Sequence, residues 1–288
     1  DIDDIAFSAF NATAFPDQPT GRRILGSEEN VRSFDNAILS DYMNRHYHAG
    51  GLIVMAIGQV DHDEFVAEAQ AKFGNIAMGE TRTPVPANYV GGTAVVKDDR
   101  YDQAHLYIGF PAPGTYSSDI HSYDLLSDIL GSGMSSPLFQ EVREKRGLCY
   151  SVGAGVSQQP DHSMFLINGS TTADKVDEFL VTSCNELVKI AKGEIEDSDW
   201  ERARNQIINQ VVTRFDSTTR LARTLADDFF NLGRIQTMDE IIASYMGVTR
   251  EQVIAAANAL LLSKPTIVVA GNAADANYEA LVTKALTI

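Results

Sequence analysis

Cysteine is nearly absent from this 288-residue chain: Cys149 and Cys184 are the only two, and they form no C-x-x-C pair. That excludes a disulfide framework and a thiolate zinc or redox motif, and both are expected as free thiols. Long apolar runs are missing as well. The longest, such as residues 52–57 and 266–270, fall far short of the roughly 20 residues that cross a bilayer, so no membrane insertion is expected. Positive charge is scarce, with 23 Lys and Arg against 39 Asp and Glu, a net charge of -16. Such a balance repels phosphate backbones and anionic lipid, and nucleic acid is not an expected partner. It attracts basic peptides at long range and equally serves solubility. Gly91-Gly92 and Gly131-Ser132-Gly133 lack both a Walker lysine and a G-x-G-x-x-G pattern, so nucleotide binding is not expected either.

What is present is a hydrophobic content of 44%, ordinary for a globular protein, in a chain long enough for two domains. Ile5, Phe7, Phe10 and Phe15 predict a first helix stopped by Pro16, followed by a loop to residue 30 and a helix over 37–46. Leu52 to Ile57 reads as a buried strand ended by Gly58, and Asp61 as the cap of a helix over 62–73. Pro84, Pro86 and the glycines around them read as a linker. Strands are then expected at 93–97, 104–110, 149–156, 164–170 and 266–270. Helices are expected at 119–130, 136–145, 173–191, 197–231, 238–245, 250–261 and 276–286. The two adjacent early strands favour a mixed α+β sheet over strict βαβ winding.

Ile53-Val54-Met55-Ala56-Ile57-Gly58 echoes Ile267-Val268-Val269-Ala270-Gly271, each a strand that ends on glycine and runs into a helix. The echo predicts a duplication. A complete first copy would then need on the order of 100 residues before Asp1, so the first domain is expected to be truncated on its amino-terminal side. The domain reading is 1–80 for the remainder of the first domain, 81–92 for a linker and 93–288 for a complete second domain.

The densest chemical signal runs from Gly131 to Tyr150. Ser135 can cap a helix with Pro137 in its first turn, Arg143 to Arg146 in its last and Gly147 as a left-handed cap. Such a turn brings the Arg143 guanidinium and the Tyr150 phenol into one neighbourhood, suited to gripping a peptide carbonyl or an oxyanion. Residue chemistry alone leaves a plainer reading open, in which Arg143 and Lys145 complement the helix dipole and Tyr150 is a sheet aromatic.

This stretch resembles the second-domain signature of the insulinase/pitrilysin zinc metallopeptidases, in the branch of mitochondrial processing peptidases and their bacterial relatives. Thr20 to Ser27 and the Gly58-Gln59-Val60-Asp61-His62 strand exit are similar to the same family. The resemblance implies two homologous α+β domains of mixed or antiparallel sheet packed with helices, the half-chambers of a clamshell. It also implies that Arg143 and Tyr150, seven residues apart, bind substrate near the scissile bond. The family's metal motif, H-x-x-E-H, is absent here, and the family places it upstream of Thr20 to Ser27. Zinc is therefore expected in the intact parent and not on this chain, which has no catalytic or metal residue of its own and is expected to be inactive alone.

His46, His48 and His62 are the nearest thing to a replacement metal cluster, yet His46 and His48 end a predicted helix and point apart, as solvated or capping residues do. Asp98-Asp99 and Asp227-Asp228 read as surface charge. By resemblance, the partners are a peptide or unfolded polypeptide, with a homodimer or a heterodimer with a family member. Two alternatives to a peptidase portion follow from the same resemblance: a non-catalytic partner subunit, or an assembly subunit like the core subunits of the respiratory bc1 complex. Free thiols and acidity favour a cytoplasmic, bacterial location, with a periplasmic one left open.

Overall fold

The computed structural model describes residues 1–79, 85–274 and 276–287. Helix α1 (Ile2–Ala14) starts where Asp1 accepts from the Asp3 amide at 3.1 Å, and it buries Ile2, Ala6, Phe10 and Ala14 at four-residue spacing. The loop after it contains α2 (Glu28–Ser33), a short helix that sequence periodicity did not reveal, capped by the Ser27 hydroxyl on the Asn30 amide. Helices α3 (Asn36–His46) and α4 (His62–Phe73) follow, and Asp61 caps α4 through the Glu64 amide at 2.9 Å, as its side chain predicts.

A five-stranded mixed sheet is built from β1 (Gly92–Lys97), β2 (Ala104–Ala112), β3 (Cys149–Gln158), β4 (Ser163–Thr171) and β5 (Thr266–Gly271), in the order β1-β5-β2-β4-β3. The β1–β5 pair is parallel and the others are antiparallel, so β1 and β3 are its edges. Central β5 is buried along its whole length, and its side chains alternate between two cores. Ile267 and Val269 join Leu106, Ile108 and Phe165 in the larger one. That core is closed by α5 (Ile120–Gly131), α6 (Val176–Ala191), α10 (Arg250–Leu262) and α11 (Tyr278–Ala285). Val268 and Ala270 face the opposite way, onto Phe10 and Phe15 around α1.

The expected helix over 197–231 is two helices, α7 (Asp197–Asp216) and α8 (Thr218–Leu232), because the Ser217 hydroxyl offers the Arg220 amide a cap and starts a new helix there. Helix α9 (Met238–Met246) completes the set. The expected strand at 52–57 is absent. Leu52 is 43% exposed and Val54 38%, because a strand needs a neighbour for its amides and carbonyls and every strand among the described residues lies beyond Gly92.

By compactness the chain forms two units, Asp1–Arg23 with Pro86–Asn209 and Ile242–Ile288, and Ile24–Val85 with Gln210–Ile241. This partition differs from the sequence division at 80 and 93. Residues 1–23 lie with the sheet because α1 covers one of its faces, and all of α8 counts with residues 24–85. Of the linker expected at 81–92, residues 81–84 lie outside the described residues. Its second half is docked, since Asn88 pairs with Gln18, and the Tyr89 hydroxyl donates to the Lys264 carbonyl at 2.7 Å.

Candidate functional site

The segment between α5 and β3 brings the Arg143 and Tyr150 side chains together. The loop after α5 leads to Ser136, fully buried, whose hydroxyl donates to the Gly133 carbonyl at 2.8 Å and accepts from the Phe139 amide at 3.4 Å. The cap thus falls on Ser136 rather than on the expected Ser135, since Ser136 is the one turned inward. Beyond Pro137 the chain enters a π-helix, Phe139–Lys145, a wide turn often found where a side chain must be re-aimed. It ends at Gly147, with φ of 59°, as the left-handed cap expected from sequence. The Gly147 amide bonds the Arg143 carbonyl at 3.0 Å, and the Leu148 amide bonds the Val142 carbonyl at 2.9 Å. Leu148 and Val142 are both buried beneath this left-handed turn, which fixes the angle between the helix and β3.

Strand β3 opens with an irregularity. Cys149 pairs with Thr171 and Ser151 with Ser170, so Tyr150 is an extra residue without a ladder partner, a β-bulge. A bulge re-aims its side chain, and Tyr150 stands 78% exposed. The Arg143 guanidinium lies 5.0 Å from the centre of the Tyr150 ring and 4.5 Å from that of Phe139. Two aromatic faces therefore fix a cation whose nearest carboxylate, on Glu144, is 3.8 Å from its Nε. Held by rings rather than by a close ion pair, the guanidinium keeps donors for an incoming carbonyl or carboxylate. Its neighbour Lys145 is engaged with Glu141, whose carboxyl that contact holds below the usual range. Cys149 sits alongside, and burial pushes its thiol up to about 11 against the opposing charge of Arg143, so it is no nucleophile at neutral pH.

The two predicted residues, Arg143 and Tyr150, are thus adjacent at the start of edge strand β3, which pairs only with β4 among the described residues. Phe139 was not singled out from the sequence, although its position four residues before Arg143 is the spacing that stacks side chains on a helix. Both cysteines are free, and Cys184 is fully buried with its thiol pushed up to about 12.

The residues matched by a family model settle the lineage. Residues 33–207, more than half of the chain, match the model described as the Peptidase M16 inactive domain. The chain belongs to the peptidase M16 family. Over 270 residues it is 31% identical to an "uncharacterized zinc protease" of Rickettsia bellii, covering 93% of this chain and 65% of that one. An "uncharacterized zinc protease" of Bacillus subtilis is 28% identical over 252 residues, 87% of this chain and 61% of the relative. The chain therefore spans under two thirds of the length of these M16 relatives. Among solved structures, a chain of complex III from Candida albicans superimposes with a TM-score of 0.90 at 18% identity, covering 100% of this chain and 71% of that one. A protease from Helicobacter pylori gives 0.81 at 19% identity, with 93% and 68% covered. The mixed α+β architecture is thus that of M16 proteins.

Zinc asks for three or more converging nitrogen, sulfur or oxygen side chains, and no such group of His, Cys, Asp and Glu occurs among the described residues. Four of the six histidines make other contacts, while the buried Nδ1 of His48 has no hydrogen-bond partner among the described residues. His46 packs on Tyr42 at 4.4 Å, His105 bonds Asp3, His162 bonds Asp161, and His121 lies 4.5 Å from the Tyr245 ring. The residues present do not fit a zinc ion. Of the acidic pairs, Asp98 is bonded by Arg100, which holds its carboxyl down to about 2, and Asp228 accepts from the Gln236 amide at 3.1 Å. The first contact lies within its own loop, whereas Asp228, buried on α8, is not the surface charge expected from the sequence, because it caps the turn after the helix.

Proposed function

We propose that this chain is the peptide-gripping portion of an M16 zinc metallopeptidase. The observation that carries the reading is the Arg143 guanidinium, held between the Phe139 and Tyr150 rings, at the bulged start of the free edge strand β3. An extended peptide adds to that edge through main-chain hydrogen bonds, as in β-augmentation. Arg143 donates to a peptide carbonyl, and the exposed Tyr150 supplies a ring to pack on and a hydroxyl to bond. Binding is then expected without hydrolysis, because no group among the described residues fits the metal and the Cys149 thiol is protonated. The whole protein's substrate is a peptide or unfolded polypeptide on this reading, and the net charge of -16 favours basic ones.

The unit formed by Ile24–Val85 and Gln210–Ile241 is, on the same reading, the remainder of a first domain homologous to the sheet-bearing one. Its exposed Ile38, Leu39, Tyr42, Met43, Leu52 and Val54 form an apolar inventory typical of a core. A second reading, a non-catalytic partner or assembly subunit, is favoured by the likeness to a chain of complex III, at a TM-score of 0.90.

Fluorescence anisotropy with a labelled, extended, basic peptide separates the two. Arg143→Ala is expected to weaken Kd about tenfold, some ~1.4 kcal/mol, and Tyr150→Phe by less, with thermal midpoints unchanged. An unchanged Kd in Arg143→Ala abolishes the peptide-grip reading and leaves the assembly reading.

A further inference from the structure

The loop that delivers Arg143 is made of residues that by themselves give it little order. Gly131-Ser132-Gly133-Met134-Ser135 has two glycines, and fixing each residue costs about 1–2 kcal/mol of conformational entropy. Met134 at its tip is 73% exposed, so nothing covers it on the outside. The order comes from the inner side, from α7. Asp199, Arg202 and Gln206 recur on α7 at three- and four-residue spacing and so share one face. Arg202 reaches the carboxy-terminal end of α5, where helix carbonyls have no partner within the helix. Its Nη1 donates to the carbonyls of Ser132 at 2.7 Å and Asp128 at 3.3 Å, and its Nη2 donates to the Ile129 carbonyl at 3.2 Å and to Asp199 at 3.1 Å. One turn on, the Gln206 amide donates to the Ser132 hydroxyl at 2.5 Å.

What Arg202 holds is in turn pressed on the strand. A methyl group on Gly131 would lie 2.2 Å from the Ala154 amide nitrogen of β3, so the end of α5 rests directly on that backbone. On the far side of the loop, the Gln140 amide donates to the Met134 carbonyl at 2.7 Å and Ser136 bonds Gly133, which ties the loop to the first turn of the π-helix. The chain of contacts thus runs from α7 through the loop to the helix that carries Arg143, with β3 as the floor. Arg202 also leaves its own Nε buried and without a partner, a cost that a side chain optimised for stability alone would avoid.

We propose that Arg202, with Gln206, is a positioning residue for the peptide grip: it clamps the end of α5 and residues 131–136 onto β3 so that the π-helix presents Arg143 beside Tyr150. The inference rests on the peptide-binding reading and adds to it the element that sets the site's geometry. The clamp works by geometry rather than by charge alone, so lysine, with one ammonium, cannot replace a guanidinium that serves three carbonyls at once.

The test uses the full chain with Arg202→Lys and Gln206→Met, a labelled extended basic peptide, and amide hydrogen exchange. Both variants are expected to speed exchange within 131–136 about tenfold while the amides of β2 and β5 keep their protection. Kd is expected to weaken roughly threefold to tenfold in Arg202→Lys, and the loss is expected to be non-additive with Arg143→Ala, because both changes disable the same contact. Should Arg202→Lys fail to fold, Gln206→Met, which removes a single hydrogen bond, carries the same comparison. If Arg143→Ala weakens binding while both clamp variants leave Kd unchanged, or if the losses simply add, the positioning role is wrong and the grip stands. An unchanged Kd in Arg143→Ala overturns the grip and this proposal together.

Discussion

Asp128 lies on the buried side of α5, one turn before Ser132, and its carboxyl is pushed up to about 6. Burial is the main cause, with Asp124 adding to it and the Ser132 hydrogen bond and Arg202 opposing it. An acid whose folded pKa lies above its unfolded value binds more protons when folded, so its contribution to stability falls as pH rises between the two values. Here that window runs from 3.8, the ordinary value, to about 6, and the penalty for holding the carboxylate is fully in force at pH 7. Asp128→Asn keeps the shape and removes the charge. It is expected to stabilise the protein at pH 7.5 by about 2 kcal/mol and to be neutral near pH 3.5, measured as the difference in urea denaturation against the parent at each pH. Equal effects at both pH values would mean that the carboxyl is not ionising in that window.

Among the elements, the join between α5 and β3 is the tightest contact of the site. Alanine normally improves a helix over glycine by about 1 kcal/mol, so Gly131→Ala tests whether packing overrides propensity. Its new methyl would meet the Ala154 nitrogen at 2.2 Å and force α5 away from β3, with an expected loss of about 3 kcal/mol. Gly133 makes the contrast. Its φ of 82° favours glycine, yet a methyl there meets nothing within 4 Å, so Gly133→Ala is expected to cost about 1 kcal/mol, without moving α5. Chemical denaturation of the two variants checks the order, and a Gly131→Ala protein as stable as the parent would contradict the close approach. The same scale explains Tyr150. An unbroken ladder would have given it a partner on β4, and the bulge turns its ring outward beside Arg143.

For the whole molecule, the contrast between two similar segments is the most informative feature. Residues 266–271 form the buried centre of a sheet, paired on both sides, while residues 52–57, identical to them at three of six positions, have no strand neighbour among the described residues. Protection from exchange follows hydrogen bonding and burial rather than composition. In this chain the amides of 53–57 are therefore expected to exchange orders of magnitude faster than those of 267–270 by mass spectrometry. Comparable protection in the two would show that 52–57 has found strand partners, and would remove the reason to regard its unit as the remainder of a domain.

The local signals of this protein were written into its sequence: the Asp61 cap, the Gly147 left-handed turn, the strand pattern from Gly92 onward and the seven-residue spacing of Arg143 and Tyr150. Each depends on the conformational preferences of neighbouring residues, which composition and spacing carry directly. Tertiary structure decided the rest. The apolar run at 52–57 is not a strand because it has no strand partner among the described residues, α1 lies on the sheet because Phe10 and Phe15 find Val268 and Ala270 there, and Tyr150 bulges because β4 supplies one residue where β3 supplies two. The reach of Arg202 across to the end of α5 is of the same kind, spanning some seventy positions of chain that only the fold closes.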